Sequence, residues 1–119
     1  MIARATLWPE ALADVRALDS RAAQRAALEV IAELQDNPRL GNPLRERVRV
    51  GDLRGLRRVA FDEAGWDGKP RYRLVYRNEP DDGTVYVVAV IAVGEREELA
   101  AYRTAADRLR AEARRRLLE

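Results

Sequence analysis

The sequence predicts an α+β fold: a twisted antiparallel sheet of about four strands, in the chain order strand, helix, helix, strand, strand, strand, helix, with the two N-terminal helices on one face. Three observations predict it. The stretches "LRRVAF" (56–61) and "RYRLVYR" (71–77) alternate apolar and polar residues, the period of a half-buried strand. "TVYVVAVIAV" (84–93) is apolar almost throughout, as in a central strand covered on both faces. From Glu97 onward the apolar spacing changes to that of a helix.

Taken in order, "MIARAT" reads as a short first strand, and Pro9 suits the first position of a helix running to about Leu18. Ser20 can cap a second helix whose apolar positions are Ala23, Ala27, Val30, Ile31 and Leu34, and Asn37-Pro38 ends it. The following stretch, "PRLGNPLRERVRVGD", contains too much Pro and Gly for long regular structure, although Val48 and Val50 can pair briefly with a sheet edge. "DEAGWDGKP" and "NEPDDG" are turn sequences, so the three later strands form an antiparallel meander. Trp66, in the first of these turns, either folds back as a lid on the core or stays out to stack on a partner. The last helix is expected over about 97–118, with Leu99, Tyr102, Ala106, Leu109, Ala113 and Leu117 on one stripe. At 119 residues the chain, 1–119, is read as a single domain.

Composition narrows the chemistry. With no cysteine, disulfides and thiolate catalysis are excluded, and with no histidine the usual metal ligand and the side chain that titrates near neutrality are missing. No metal and no cofactor is therefore expected. The longest apolar run, Val85–Val93, is too short to span a bilayer, and the N-terminus has no basic segment followed by a long apolar one, so a cytoplasmic protein without membrane contact is expected. The net charge of +2 is unevenly placed: residues 1–38 carry four basic and six acidic side chains, residues 39–77 eleven and five, and residues 78–119 seven and nine. The middle of the chain is thus +6 between two segments of −2 each. All but Lys69 of its cations are arginine, whose planar fork matches phosphate; a solvated arginine-rich surface is the competing explanation.

Strand alternation gives these arginines a place. Arg58 and Ala60 share one side of their strand, and Arg73, Val75 and Arg77 share one side of the next. Gly94 ends the apolar strand, Arg96 emerges at its mouth, and Tyr102 falls in the first two turns of the last helix. Arginines from neighbouring strands can converge there, and Arg54, Arg57, Arg77, Lys69 and Arg71 are further cations of the same region suited to phosphate.

The segments "LRGLRRVAF", "YRLVYR", "VIAVGERE" and "AYRTAADRL" resemble the RelE/ParE superfamily of bacterial toxins from type II toxin–antitoxin pairs, and are closest to its RelE branch. The resemblance covers roughly residues 2 to 110 and is specific from Leu53 onward. It implies a RelE-like fold and a ribosome-dependent endoribonuclease that cleaves messenger RNA in the ribosomal A site, the 2′-hydroxyl attacking the adjacent phosphate. Its partners would be the ribosome, mRNA and a cognate antitoxin. The arginine within "YRLVY" corresponds to Arg73, the arginine after "VG" to Arg96, and the tyrosine six residues later to Tyr102. The family's two basic strand positions fall on Arg58 and Ala60, and Ala60 departs from the pattern because it can neither bind phosphate nor transfer a proton.

Independently of the family, internal cleavage of RNA requires deprotonating a hydroxyl, stabilising a phosphorane and protonating the leaving oxygen. Arginine, with a pKa above about 12, serves the second task and not the others. Glu95 and Glu97, flanking Arg96, are candidate bases. Two alternatives remain open at this level: a ParE-like inhibitor that poisons DNA gyrase by binding, and a non-enzymatic RNA- or partner-binding module of the same fold. The same residues also have structural uses, since Tyr102 lies on an apolar stripe and Arg73 can pair with a carboxylate.

Overall fold

The structure, a computed structural model, describes residues 2–44, 53, 55–97 and 100–119. β1 (Arg4–Leu7) leads through Trp8 into α1 (Pro9–Arg16), where Pro9 takes a first-turn position whose amide needs no helical partner. In α2 (Arg21–Asp36) the hydroxyl oxygen of Ser20 accepts the Ala23 amide at 3.0 Å, satisfying one of the orphan donors of the first turn. The helix stops at Asn37, whose φ of −140° is the extended backbone that a following proline imposes. Gln35 at its end accepts the Ile2 and Ala3 amides on its carbonyl and the Ala5 amide on its side chain, which covers part of the outer edge of β1.

The rest of the sheet comes from β2 (Asn42–Pro43), β3 (Leu56–Phe61), β4 (Tyr72–Pro80) and β5 (Val85–Glu95), and α3 (Ala100–Leu118) closes the chain. The spatial order is β1-β5-β4-β3-β2. The antiparallel meander of β3, β4 and β5 is as expected, but the sheet has five strands rather than about four, and β1 runs parallel to β5, from Arg4 beside Val87 to Leu7 beside Val90. The direction of β1 follows from the long path the chain takes before β5, which local periodicity does not contain. The apolar strand β5 is interior, between β1 and β4, and the middle position belongs to β4. The expected pairing of Val48 and Val50 lies outside the described residues.

Two cores follow from the two faces. Ala23, Ala27, Ile31 and Leu34 of α2 and Ala11 and Val15 of α1 pack on Phe61, Leu74, Tyr76, Val88 and Val90. On the opposite face Ala101, Tyr102, Ala105 and Ala106 of α3 pack on Leu56, Val75, Ile91 and Ala92. The register of β4 and β5 slips between Val75–Ala92 and Tyr76–Val90, so Ile91 is an extra, bulged residue. It explains how Ile91 and Ala92, adjacent in sequence, share the α3 face while Val90 and Val93 share the other. The stripe expected along α3 runs out early. Leu109 is partly buried, but Ala113 is exposed and Leu117 is 85% exposed, because the helix passes beyond the sheet; Leu99 is outside the described residues.

Beneath β3 and β4 a buried polar network roots the chain ahead of β2. The Tyr76 hydroxyl donates to the Pro38 carbonyl at 2.7 Å and accepts the Gly41 amide at 2.9 Å, while Asn78 donates to Pro38 and to Asp82. Gly41 is required by this close approach, since a Cβ there would lie 2.6 Å from the Arg58 carbonyl oxygen.

Candidate functional site

The α3 face at one end of the sheet brings together Arg58, Arg73 and Tyr102 of the residues singled out in the sequence, with Arg96 just past the end of β5. Arg73, at the start of β4, lies in register between Ala60 of β3 and Gly94 of β5. Both neighbours are small, and Arg73 is half-buried between them. Its Nη1 turns back to the carbonyls of Tyr72 at 2.9 Å and Pro70 at 3.2 Å. Arg58 lies diagonally across the pair, opposite Val75, on the same face. Among the described residues Arg58, Arg73 and Arg96 form no ion pair with a carboxylate, which leaves their charge available to an anion.

Arg96 continues the sheet one step past β5, its amide donating to the Arg71 carbonyl at 2.8 Å, and its side chain is exposed. It lines a cavity of about 270 Å³ with Asp19, Arg71, Tyr72, Glu95 and Glu97. Burial pushes the Tyr72 phenol above its ordinary pKa, so this wall of the cavity stays neutral. Glu95 and Glu97 thus flank Arg96 at the strand mouth, within the same cavity. α3 begins immediately above: a Cβ built on Gly94 would sit 3.5 Å from the Ala101 side chain, and Tyr102, the next residue, is 5% exposed against Val75, Ile91 and Ala92. Tyr102 is therefore both part of the α3-side core and adjacent to the arginine surface.

The remaining arginines are engaged within the protein. Arg57, 13% exposed, pairs with Asp82 at 3.0 Å and donates to the Gly41 carbonyl at 2.6 Å, so it braces the β2 edge instead of facing outward. Arg77 pairs with Glu79 at 2.7 Å and with Glu112 of α3 at 3.5 Å, two positions along β4 from Val75 and away from the mouth. Arg71 forms a bidentate bond to Asp62, both contacts at 3.0 Å, and stacks on Trp66 with 3.5 Å to the ring centroid. The guanidinium holds the Asp62 carboxyl down at about 2. Trp66 is 39% exposed and donates to the Lys69 carbonyl at 3.2 Å, so it is not a lid on the sheet but the floor beneath Arg71. Lys69 is exposed in the same turn, and Arg54 is outside the described residues.

Sequence reasoning missed the acidic partners that decide this division. Asp62 was legible only as a turn residue, and its grip on Arg71, nine residues on, depends on how the hairpin closes. Asp14 and Arg108, which pair at 2.6 Å, are 94 residues apart and carry no local signal. Among the described residues no group of three or more acidic side chains is arranged to hold a metal ion, and no helix is long and apolar enough to cross a membrane.

The family model for the ParE toxin of the type II toxin–antitoxin system, parDE, matches residues 6–99. Among solved structures the chain is similar to an arginine-to-alanine double mutant of the E. coli toxin RelE in the free state, at 26% identity and a TM-score of 0.64, over 92% of this chain and 99% of that one. It is similar at 26% identity and a TM-score of 0.58 to the toxin–antitoxin complex RelBE2 of Mycobacterium tuberculosis, over 81% of this chain and 100% of that one. A further match, at 27% identity and a TM-score of 0.55, is the mutant E. coli RelE in complex with an antitoxin RelBc peptide, over 88% of this chain and 95% of that one. No curated protein matches. With most of its length inside the family model and 92% of it aligned to a RelE structure, this chain belongs to the ParE toxin family of type II toxin–antitoxin systems, within the RelE/ParE superfamily.

Proposed function

We propose that this toxin is a ribosome-dependent endoribonuclease that cleaves mRNA in the ribosomal A site. The observation that carries this reading is that Arg73 and Arg58 share the α3 face at one end of the sheet, with Arg96 just past the end of β5, and that none of the three is paired with a carboxylate among the described residues. A phosphate seated there meets fixed guanidinium donors on a pre-formed surface, which is how an oxyanionic transition state is stabilised most effectively. In the reaction the 2′-oxygen bonds to phosphorus as the bond to the 5′-oxygen breaks, and the departing 5′-oxygen takes a proton from water. Glu97 takes the hydroxyl proton, since Glu95, in register with Tyr72, lies on the face opposite Arg73, and Arg73 and Arg96 hold the added negative charge. Tyr102 orients the nucleotide from above. The cognate partner is an antitoxin protein, as in the RelE complexes to which the chain is similar, and the site of action is the cytoplasm, where ribosomes are.

The test is incubation with translating ribosomes followed by mapping of mRNA 5′ ends. Arg73→Ala and Arg96→Ala should each reduce cleavage by about 10²-fold, roughly 3 kcal/mol of transition-state stabilisation, and abolish growth arrest with the melting temperature little changed. Both variants arresting growth as well as the parent would end the nuclease reading. Ala60→Lys should raise cleavage, because it places a cation beside Arg73 in the register.

A second reading, inhibition of DNA gyrase by binding, is favoured by two observations: the family model is that of ParE, and Ala60 stands where a basic residue is expected. A supercoiling assay run beside the cleavage assay separates the two. Inhibited supercoiling with intact mRNA would establish it.

A further inference from the structure

β5 outruns its neighbour. β1 pairs with it only from Val87 to Val90, and the Trp8 amide closes on the Val90 carbonyl at 3.0 Å, so from Ile91 onward no strand among the described residues lies beside the outer edge of β5. Two side chains from opposite ends of the molecule take that place. Asp14 of α1 accepts the Val93 amide at 3.0 Å, and Arg108 of α3 donates to the Ile91 carbonyl at 2.8 Å. The two then join each other in a bidentate ion pair at 2.6 and 3.0 Å. Together they supply one acceptor and one donor to the strand, as a neighbouring backbone would. Their side chains are 19% and 18% exposed, and charge-assisted, fork-shaped pairing in such a place fixes geometry far better than a surface ion pair does.

This stretch of β5 is also the one that shapes the arginine surface. It contains the bulge at Ile91 and, one residue before its end at Glu95, Gly94, which lies beside Arg73 and beneath Ala101. The apolar contact of α3 with the sheet is made mainly by alanines, whose small, similar side chains leave the register of the helix weakly specified. We infer that Asp14 and Arg108 are positioning residues for the candidate site: by clasping the open edge of β5 they hold α3 in the placement that keeps Tyr102 beside the strand mouth. The inference rests on the RNA-cleaving reading for its kinetic consequence, but its structural consequence stands apart from activity.

The experiment uses the full chain in four forms: parent, Arg108→Gln, Tyr102→Leu and the double variant, each confirmed folded by circular dichroism at the assay temperature. If Arg108 acts through Tyr102, Arg108→Gln lowers kcat about tenfold with KM within about twofold, yet adds less than about twofold once Tyr102 is already leucine. Losses that multiply in the double variant would overturn the inference. Fluorotyrosine labelling gives one fluorine signal for each of the four tyrosines, with that of Tyr102 identified by its loss in Tyr102→Leu. In Arg108→Gln the Tyr102 signal should shift while the Tyr76 signal stays; an unmoved Tyr102 signal, or both moving together, would count against a positioning role. Arg108→Lys, which keeps the charge but not the fork, should fall between parent and Arg108→Gln, and it replaces the latter should that variant not fold. If the parent cleaves no mRNA, the proposed function fails and the fluorine signals alone decide the placement of α3.

Discussion

On the α1/α2 face the helices bring Val15, Ile31 and Leu34 together with Ala11, Ala23 and Ala27 onto Phe61, Leu74, Tyr76, Val88 and Val90, while on the α3 face the helix brings Ala101, Tyr102, Ala105 and Ala106 onto Leu56, Val75, Ile91 and Ala92. The first face is held by apolar area. The second is held by less area and by side-chain ties: Arg108 to Asp14, and Arg77 to Glu112. The difference has a functional use. Larger residues in the first turns of α3 would spread over Gly94 and Ala60 and cover Arg73, so a helix that keeps to alanine leaves the arginines open and relies on polar contacts for its attachment. Ion pairs suit this task because they fix a helix at two points without occupying the surface between them.

Four measurements break or sharpen this comparison. Leu74→Ala, at a fully buried site on the α1/α2 face, should destabilise the fold by about 3 kcal/mol in denaturant unfolding, whereas Leu109→Ala on α3 should cost only about 1 kcal/mol. Equal losses would mean that α3 is held by apolar packing after all. Asp62 gives the next largest effect. Its carboxyl is held at about 2 in the fold against an ordinary 3.8, so its contribution is fully present above pH 4 and is lost as pH falls towards 2. Asp62→Asn should cost about 1–3 kcal/mol at neutral pH and flatten the acid limb of the stability curve over that window. A limb as steep as the parent's would show that other carboxylates dominate it. Trp66→Ala should remove the face on which Arg71 rests, with a loss of about 1 kcal/mol and a small fall in melting temperature. A fall of many degrees would instead identify Trp66 as part of the core. Ending the chain after Glu112 should have the smallest effect, under about 1 kcal/mol, because Leu117 and Leu118 are 85% and 82% exposed and contribute little burial.

Much of the frame was legible because short-range chemistry sets it. Ser20 capping α2 and Pro38 ending it both act within a few residues of themselves, whereas β5 runs past Gly94, its expected end, to Glu95. The faces of β3 and β4 were also legible, since Arg58 with Ala60, and Arg73 with Val75, follow directly from alternation. The arginines were harder to read. Arg57, Arg71, Arg73 and Arg77 look alike in the sequence, yet Asp82, Asp62 and Glu79 with Glu112 take up three of them and leave Arg73 to backbone carbonyls.

The sequence by itself determined the α+β class, the order of the elements apart from β2, the side of each meander strand on which the cations lie, and the superfamily. These depend on patterns of period two and 3.6 and on caps and turns, whose energies are settled between near neighbours. Only the tertiary structure decided that β1 runs parallel to β5, that a bulge at Ile91 turns the end of β5, and that Asp14 and Arg108 close its open edge. The physical reason is that a carboxylate chooses its cation by distance in the folded chain and not by distance along it. Which arginines stay available for phosphate was therefore fixed only when the hairpins and α3 had closed.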